Sequence, residues 1–246
     1  SNVKLYDVLP IRFVNERFLH TTGWMLSIVM VCLLFEFGDG LSTHGYYDFD
    51  KYERKSEFLG VSQRNFPNRA ADFLAQNGIQ GNFFNDFNSG AYLIGRAYPN
   101  IRVYIDGRTE LRGSEFFNKY KSIWDDGDEK AFEDAVATYD LTGVFVNTAV
   151  APASKAFLKM VYAKKEWRPV YFDYDALIFL KDIPRNTGWI ERFGMDFASW
   201  RPKELDLFKV GPAPVVPYRN ISRARTLFSL GLDEQALAEA DAAVRV

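Results

Sequence analysis

The longest apolar run in the chain, Trp24 to Phe37 (WMLSIVMVCLLFEF), is interrupted only by Ser27 and Glu36. Counted from Phe18 to Phe37 it has about 20 residues, the length that spans a hydrocarbon core. It predicts a transmembrane helix over 21–37, with Trp24 and Phe35 to Phe37 near the two interfaces as an aromatic belt. The strictly apolar part is shorter, and a core helix or a signal-peptide core has the same pattern. No small-residue cleavage pattern follows it. Lys4, Arg12 and Arg17 precede the run, whereas residues 38–50 carry Asp39, Asp48 and Asp50 and no Lys or Arg. That asymmetry puts the N-terminal side in the cytoplasm and the remainder outside it, across a membrane crossed once. Residues 1–20 mix apolar and charged positions around Pro10. They fit either an amphipathic segment lying on the bilayer or a surface segment leading into the span.

Beyond an irregular linker over 38–66, the periodicity alternates between 3.6 and 2. Pro67 and Gly78 bracket a helix over 68–77. A strand over 81–86, a short helix around 89–98 capped by Asn88 or Ser89, and a strand over 101–106 come next. Helices follow over 114–124 and 128–139, then a buried strand over 141–147 and a helix over 153–165. Residues 167–181 hold two β runs meeting at Asp173-Tyr174-Asp175, a hairpin whose acidic residues read as turn chemistry. The alternation predicts a three-layer α/β domain over 67–183, its sheet mostly parallel with an antiparallel edge hairpin. Residues 184–220 read as a connector that stiffens at Gly211-Pro212-Ala213-Pro214 and Pro217. In 221–246 the small and apolar residues Ala236, Leu237, Ala240, Ala243 and Val244 suit one tetratricopeptide-type helix pair, or a generic helical hairpin. One such repeat cannot bury its own face, so neighbours or another surface must cover it.

Composition narrows the chemistry. Net charge is −2 over 246 residues, which gives no broad basic field for nucleic acid. A single cysteine, Cys32, excludes an internal disulfide, and it reads as a small hydrophobe. With two histidines, His20 and His44, a His-based metal site or a Ser-His-Asp triad in the α/β part is not expected. No phosphate-cradling glycine motif occurs, and no cofactor is expected. The acidic run Asp125, Asp126, Asp128 and Glu129 lacks the spacing of an EF-hand loop. The chain opens on Ser1, which predicts a processed product or a piece of a longer protein.

The candidate chemistry lies in 82–113. Two apolar runs there each end in a carboxylate, Asp86 and Asp106, followed by small and polar residues. In an open α/β sheet the carboxyl ends of strands line the ligand crevice. The candidate ligand-binding residues are therefore Asp86, Asn88, Asp106, Arg108, Glu110 and Arg112. The carboxylates could hold a cation or sugar hydroxyls, and Arg108 or Arg112 a phosphate. Equally, both carboxylates could cap turns and pair with local arginines.

The run from Asn85-Asp86 through Gly90-Ala91-Tyr92-Leu93-Ile94 to Ile105-Asp106-Gly107-Arg108 resembles a segment of bacterial polytopic membrane proteins of the C-type glycosyltransferase class. There it follows the last transmembrane helices, and some members carry C-terminal tetratricopeptide repeats. A more distant likeness is to oligosaccharyltransferase and protein-mannosyltransferase proteins. This chain has Asn85-Asp86-Phe87-Asn88 and lacks the paired tryptophans of the oligosaccharyltransferase catalytic subunits, so acceptor-sequon binding is not carried over. The resemblance covers roughly residues 60–180 and implies an extracytoplasmic domain that touches glycan or lipid-linked sugar. In that class the catalytic acid lies in an early loop between transmembrane helices, and this chain has one candidate span. Two functions follow. One is an accessory subunit anchored in lipid and docked on other subunits of a membrane complex. The other is the soluble domain of a lipid-linked-sugar transferase, contributing donor or acceptor binding.

Overall fold

The computed structural model describes residues 16–43, 47–48, 53–54, 66–149, 154–201 and 218–245. Most of the amphipathic segment, most of the 38–66 linker and the Pro-rich stretch 211–217 lie outside them. The chain divides into two units, residues 1–47 and 48–246.

The first unit is dominated by α1 (Glu16–Thr43). Its window Thr21–Gly38 has a mean hydropathy of 1.6, and none of it is buried. The helix is long and apolar enough to cross a membrane. It continues through Gly38 and Gly40 to Thr43, where irregular chain was expected, because a helix already formed extends at little cost per residue.

After α1, β1 (Tyr47–Asp48) and β2 (Glu53–Arg54) pair as a short ladder. The α/β part then runs α2 (Asn68–Gln76), β3 (Gly81–Asn85), α3 (Gly90–Ala97) and β4 (Ile101–Val103). Next come α4 (Gly113–Lys121), α5 (Glu129–Tyr139), β5 (Leu141–Asn147) and α6 (Lys155–Ala163). The hairpin strands β6 (Trp167–Phe172) and β7 (Ala176–Lys181) lead to α7 (Thr187–Phe193). A five-stranded mixed sheet results, in the order β4-β3-β5-β7-β6. β3 is parallel to both β4 and β5, and β7 is antiparallel to β5 and β6. Two ladders are parallel and two antiparallel, so the sheet is evenly mixed where a mostly parallel one was expected, because the hairpin pairs with β5 as well as with itself.

Strand alternation sorts the side chains into two apolar clusters. Phe84, Val144, Val146, Leu177 and Phe179 join Tyr120, Phe132 and Phe157 of the α4–α6 region. Phe83, Phe145, Ile178 and Leu180 join Ala71, Leu74 and Leu93 of α2 and α3. Phe84 is fully buried among five rings, with centroids 4.9 to 6.5 Å away at Tyr104, Tyr120, Trp124, Phe132 and Phe157. Gly143 makes room for this arrangement: a Cβ there would meet the Phe83 ring at 2.4 Å.

The connector expected over 184–220 begins with ordered structure. Trp189, Ile190 and Phe193 of α7 pack on the second cluster, and Phe197 is buried in the first. The tail forms α8 (Tyr218–Leu230) and α9 (Asp233–Val244), turning at Gly231 in the left-handed region. Leu227, Leu230 and Ala236 are buried in the first cluster. The hairpin therefore covers its inner face with the α/β part of its own chain. The outer face keeps Phe228, Leu237 and Val244 exposed.

Candidate functional site

At the carboxyl end of β3, Asn85 and Asp86 are both buried. Asn85 joins two strand ends. Its Nδ2 donates to the Asp86 and Ile105 carbonyls at 2.8 Å each, and its Oδ1 accepts from the Tyr104 amide at 2.9 Å. Asp86 accepts from the Ser89 amide through Oδ1 (3.0 Å) and from the Asn147 amide through Oδ2 (2.9 Å). It is thus the cap of the 3-10 turn Phe87–Ser89 that leads into α3, the role the sequence suggested for Asn88 or Ser89. An aspartate reaching an amide three residues on is a capping pattern visible in the sequence. Burial pushes the Asp86 pKa up, opposed by its bonds from Asn147 and Ser89. Asn88 is exposed beside it.

Asp106 stands beyond β4 and is bound by its own turn. Oδ1 accepts from the Arg108 amide (2.8 Å) and Nε (3.0 Å), and Oδ2 from Nη2 (2.5 Å). The Arg108 bond holds the carboxylate below its ordinary pKa against partial burial. Asp86 and Asp106 meet the same helix start from two sides. Asp86 caps the turn into α3, and Gly90 lies so close to the β4 exit that a Cβ would fall 2.1 Å from the Ile105 carbonyl oxygen. Asp106 is bound within its own turn, and Asp86 both within its turn and by the distant Asn147 amide. Arg108, Glu110 and Arg112 are exposed, and the Arg112 guanidinium lies 4.8 Å from the centre of the Phe116 ring.

Asp173 and Asp175 go further than turn chemistry. Asp173 accepts from Arg69 (2.9 Å) and from Arg223 of α8 (3.3 Å). Asp175 is buried, accepting from the Ala70 amide (3.0 Å) and the Tyr171 hydroxyl (2.8 Å). Burial, reinforced by the Asp173 charge, pushes the Asp175 pKa up to about 6. Arg223 also binds Glu239 of α9 at 2.9 Å, and Ser222 Oγ donates toward the Thr148 and Tyr174 carbonyls, 2.7 Å from each. These bonds fasten the hairpin to the strand ends. Sequence reasoning missed them because the partners are separated by long stretches of chain.

A hollow of about 170 Å³ opens on the flank of edge strand β4, lined by Asn82, Arg102, Tyr104, Arg112 and Tyr139 among others. Of these, only Arg112 was a sequence candidate. Alternation could have found Arg102 and Tyr104, which are two residues apart on one face of the strand. A larger hollow of about 310 Å³ lies at the amino ends of β5 and β6, where Lys164 is paired with Glu129 and Glu133. Among the described residues no three His, Cys, Asp or Glu side chains gather into a metal site.

No family model, curated protein or solved structure matches this chain. The motif from Asn85 to Arg108 has a structural part in this fold. Of that motif, Asn85 and Asp86 serve the junction of β3, α3 and β5, and Gly90 serves the approach of α3 to the β4 exit.

Proposed function

We propose that the chain is a membrane-anchored accessory subunit whose extracytoplasmic domain docks on a larger membrane complex. The observation that carries this reading is α1, whose 18-residue apolar window has no protein cover. Such a surface is stable in lipid and costly in water. Orientation follows from Lys4, Arg12 and Arg17 on one side of the span and aspartates on the other. The domain is a three-layer α/β unit, with α2 and α3 on one face of the sheet and α4–α6 on the other. Its C-terminal helix pair is of tetratricopeptide type, with its inner face on the domain and its outer residues Leu237 and Val244 left for a partner. The strand-end carboxylates are engaged in capping, which favours a scaffold over an acid–base centre.

The test is native purification in mild detergent with mass analysis of the chain and all that travels with it. A stoichiometric partner at constant ratio is expected; a clean monomer overturns the reading. A second reading, the donor- or acceptor-binding domain of a lipid-linked-sugar transferase, is favoured by the Asn85–Arg108 motif and by the exposed guanidinium groups of Arg108 and Arg112. It requires a heavier parent polypeptide. It fails if sugar transfer by that parent is unchanged by Asp106→Ala combined with Arg112→Gln.

A further inference from the structure

The hollow beside β4 brings two arginines to a buried hydroxyl that has no hydrogen-bond partner among the described residues. Arg102 and Arg112 both line it, and neither makes an ion pair among the described residues. Two nearby carboxylates are committed elsewhere, Asp106 to Arg108 and Asp140 to Arg185 (3.2 Å). Tyr104 is 3% exposed, and its buried hydroxyl has no hydrogen-bond partner among the described residues. Buried polar groups are nearly always satisfied, so an orphan hydroxyl in the wall of a charged hollow is a place for a ligand atom.

The geometry around that hydroxyl is prepared. The Tyr104 ring is held by Phe84 (5.1 Å), Phe116 (4.9 Å) and Tyr139 (5.2 Å between centroids). Arg112 lies over Phe116, which limits the positions its guanidinium can adopt. Asn82 donates to the Tyr139 carbonyl at 2.8 Å, tying the α5 end to the start of β3. Burial and the neighbouring Tyr139 push the Tyr104 pKa up to about 12, with Arg112 pulling the other way. The phenol is therefore a protonated donor at neutral pH. The hollow has room for roughly five waters at about 30 Å³ each, enough for a tetrahedral oxyanion with some hydration.

We propose that this hollow is a binding site for a phosphate group, held by the guanidinium groups of Arg102 and Arg112 and by the Tyr104 hydroxyl. Two guanidinium forks supply two positive charges and several donors in planar geometry, which suits a phosphate dianion better than a single carboxylate. The group can arrive on a soluble molecule or on a lipid headgroup. The site stands apart from the choice between accessory subunit and transferase domain, since its residues bind the group in either case.

The test titrates the full chain in neutral detergent with inorganic phosphate and, separately, with short-chain phosphatidic acid. Saturable one-to-one binding is expected, weakening as salt is raised. Arg102→Gln and Arg112→Gln should each weaken it about tenfold or more, while Arg168→Gln on the far edge strand leaves it unchanged. Tyr104→Phe keeps the ring packing and should weaken binding about threefold to tenfold through the lost hydrogen bond. Tighter binding of phosphatidic acid than of phosphate assigns the source to lipid; equal or weaker binding assigns it to a soluble molecule. Absence of saturable binding to both probes overturns the proposal, as does binding that all three hollow variants leave intact.

Discussion

The carboxyl ends of β3, β5 and β6 and the flank of β4 use the same kinds of residue to opposite ends. At the strand ends every prominent charge is answered. Asp86 receives two backbone amides, Asp106 its own Arg108, and Asp173 Arg69 and Arg223. At the β4 flank two arginines and a buried phenol line a hollow without any such partner among the described residues. The conspicuous carboxylates carry bonds that hold turns and strand ends, whereas Arg102 of β4 and Tyr104 just past it keep unspent hydrogen-bonding capacity among the described residues. Under the proposed phosphate site, satisfaction of polar groups, rather than their identity, separates structure from binding.

The strongest way to break the comparison is to open the closed region. Arg223 is buried between Glu239 and Asp173. Removing one partner of a buried pair typically costs about 3–5 kcal/mol because the other charge stays buried. Arg223→Ala is therefore expected to lower the unfolding free energy by that much and to release α8 and α9, read as lost amide protection over 218–245. Retained protection would mean that the apolar face alone holds the hairpin.

Asp175 tests the same region through pH. Its folded-state pKa of about 6 lies above the ordinary 3.8 because burial and the Asp173 charge disfavour its ionised form, with Arg69 opposing. The sign follows directly. The group binds a proton more tightly when folded, so its contribution is complete below about pH 4 and is lost as pH rises through 6. That contribution is on the order of 3 kcal/mol for a shift of this size. Asp175→Asn should accordingly flatten the stability profile between pH 4 and 7, measured by denaturant unfolding at several pH values. An unchanged slope would place the titration elsewhere.

Asn85→Ala removes the side chain that joins the exits of β3 and β4. It should cost about 2–3 kcal/mol by leaving buried backbone groups unpaired. Chemical-shift or exchange changes centred on Tyr104 and Ile105 would localise the damage, and an effect spread evenly over the sheet would contradict the assignment. Tyr104→Phe sharpens the contrast from the other side. Its hydroxyl has no partner, so stability without ligand should change by about 0.5 kcal/mol or less. A loss like that of Asn85→Ala would show that the hydroxyl has a structural partner after all.

Much of the fold was legible in the chain. The short apolar runs in 81–86, 141–147 and 167–181 and the helical spacing between them led to an α/β sheet, since a strand covered on both faces is apolar along its whole length. Pro67, Gly78 and Pro99 marked helix ends because their backbone constraints act at short range. The candidate site was legible only in part. Asp86 and Asp106 were conspicuous as carboxylates after apolar runs, and their capping partners lie a few residues away. Arg102 and Tyr104 read as ordinary strand positions, because nothing local shows whether a guanidinium or a phenol will meet a partner.

What the sequence alone determined are the features set by near neighbours: the apolar length of α1, the alternation of strands and helices, the caps and the hairpin. The tertiary structure decided three things that depend on residues far apart in the chain. It seated the C-terminal hairpin on the strand ends through Ser222 and Arg223, it ordered residues 187–197 onto the core, and it left Arg102, Arg112 and Tyr104 around one hollow. The physical reason is common to all three. Whether a buried polar group is satisfied is known only when every element that could reach it is in place.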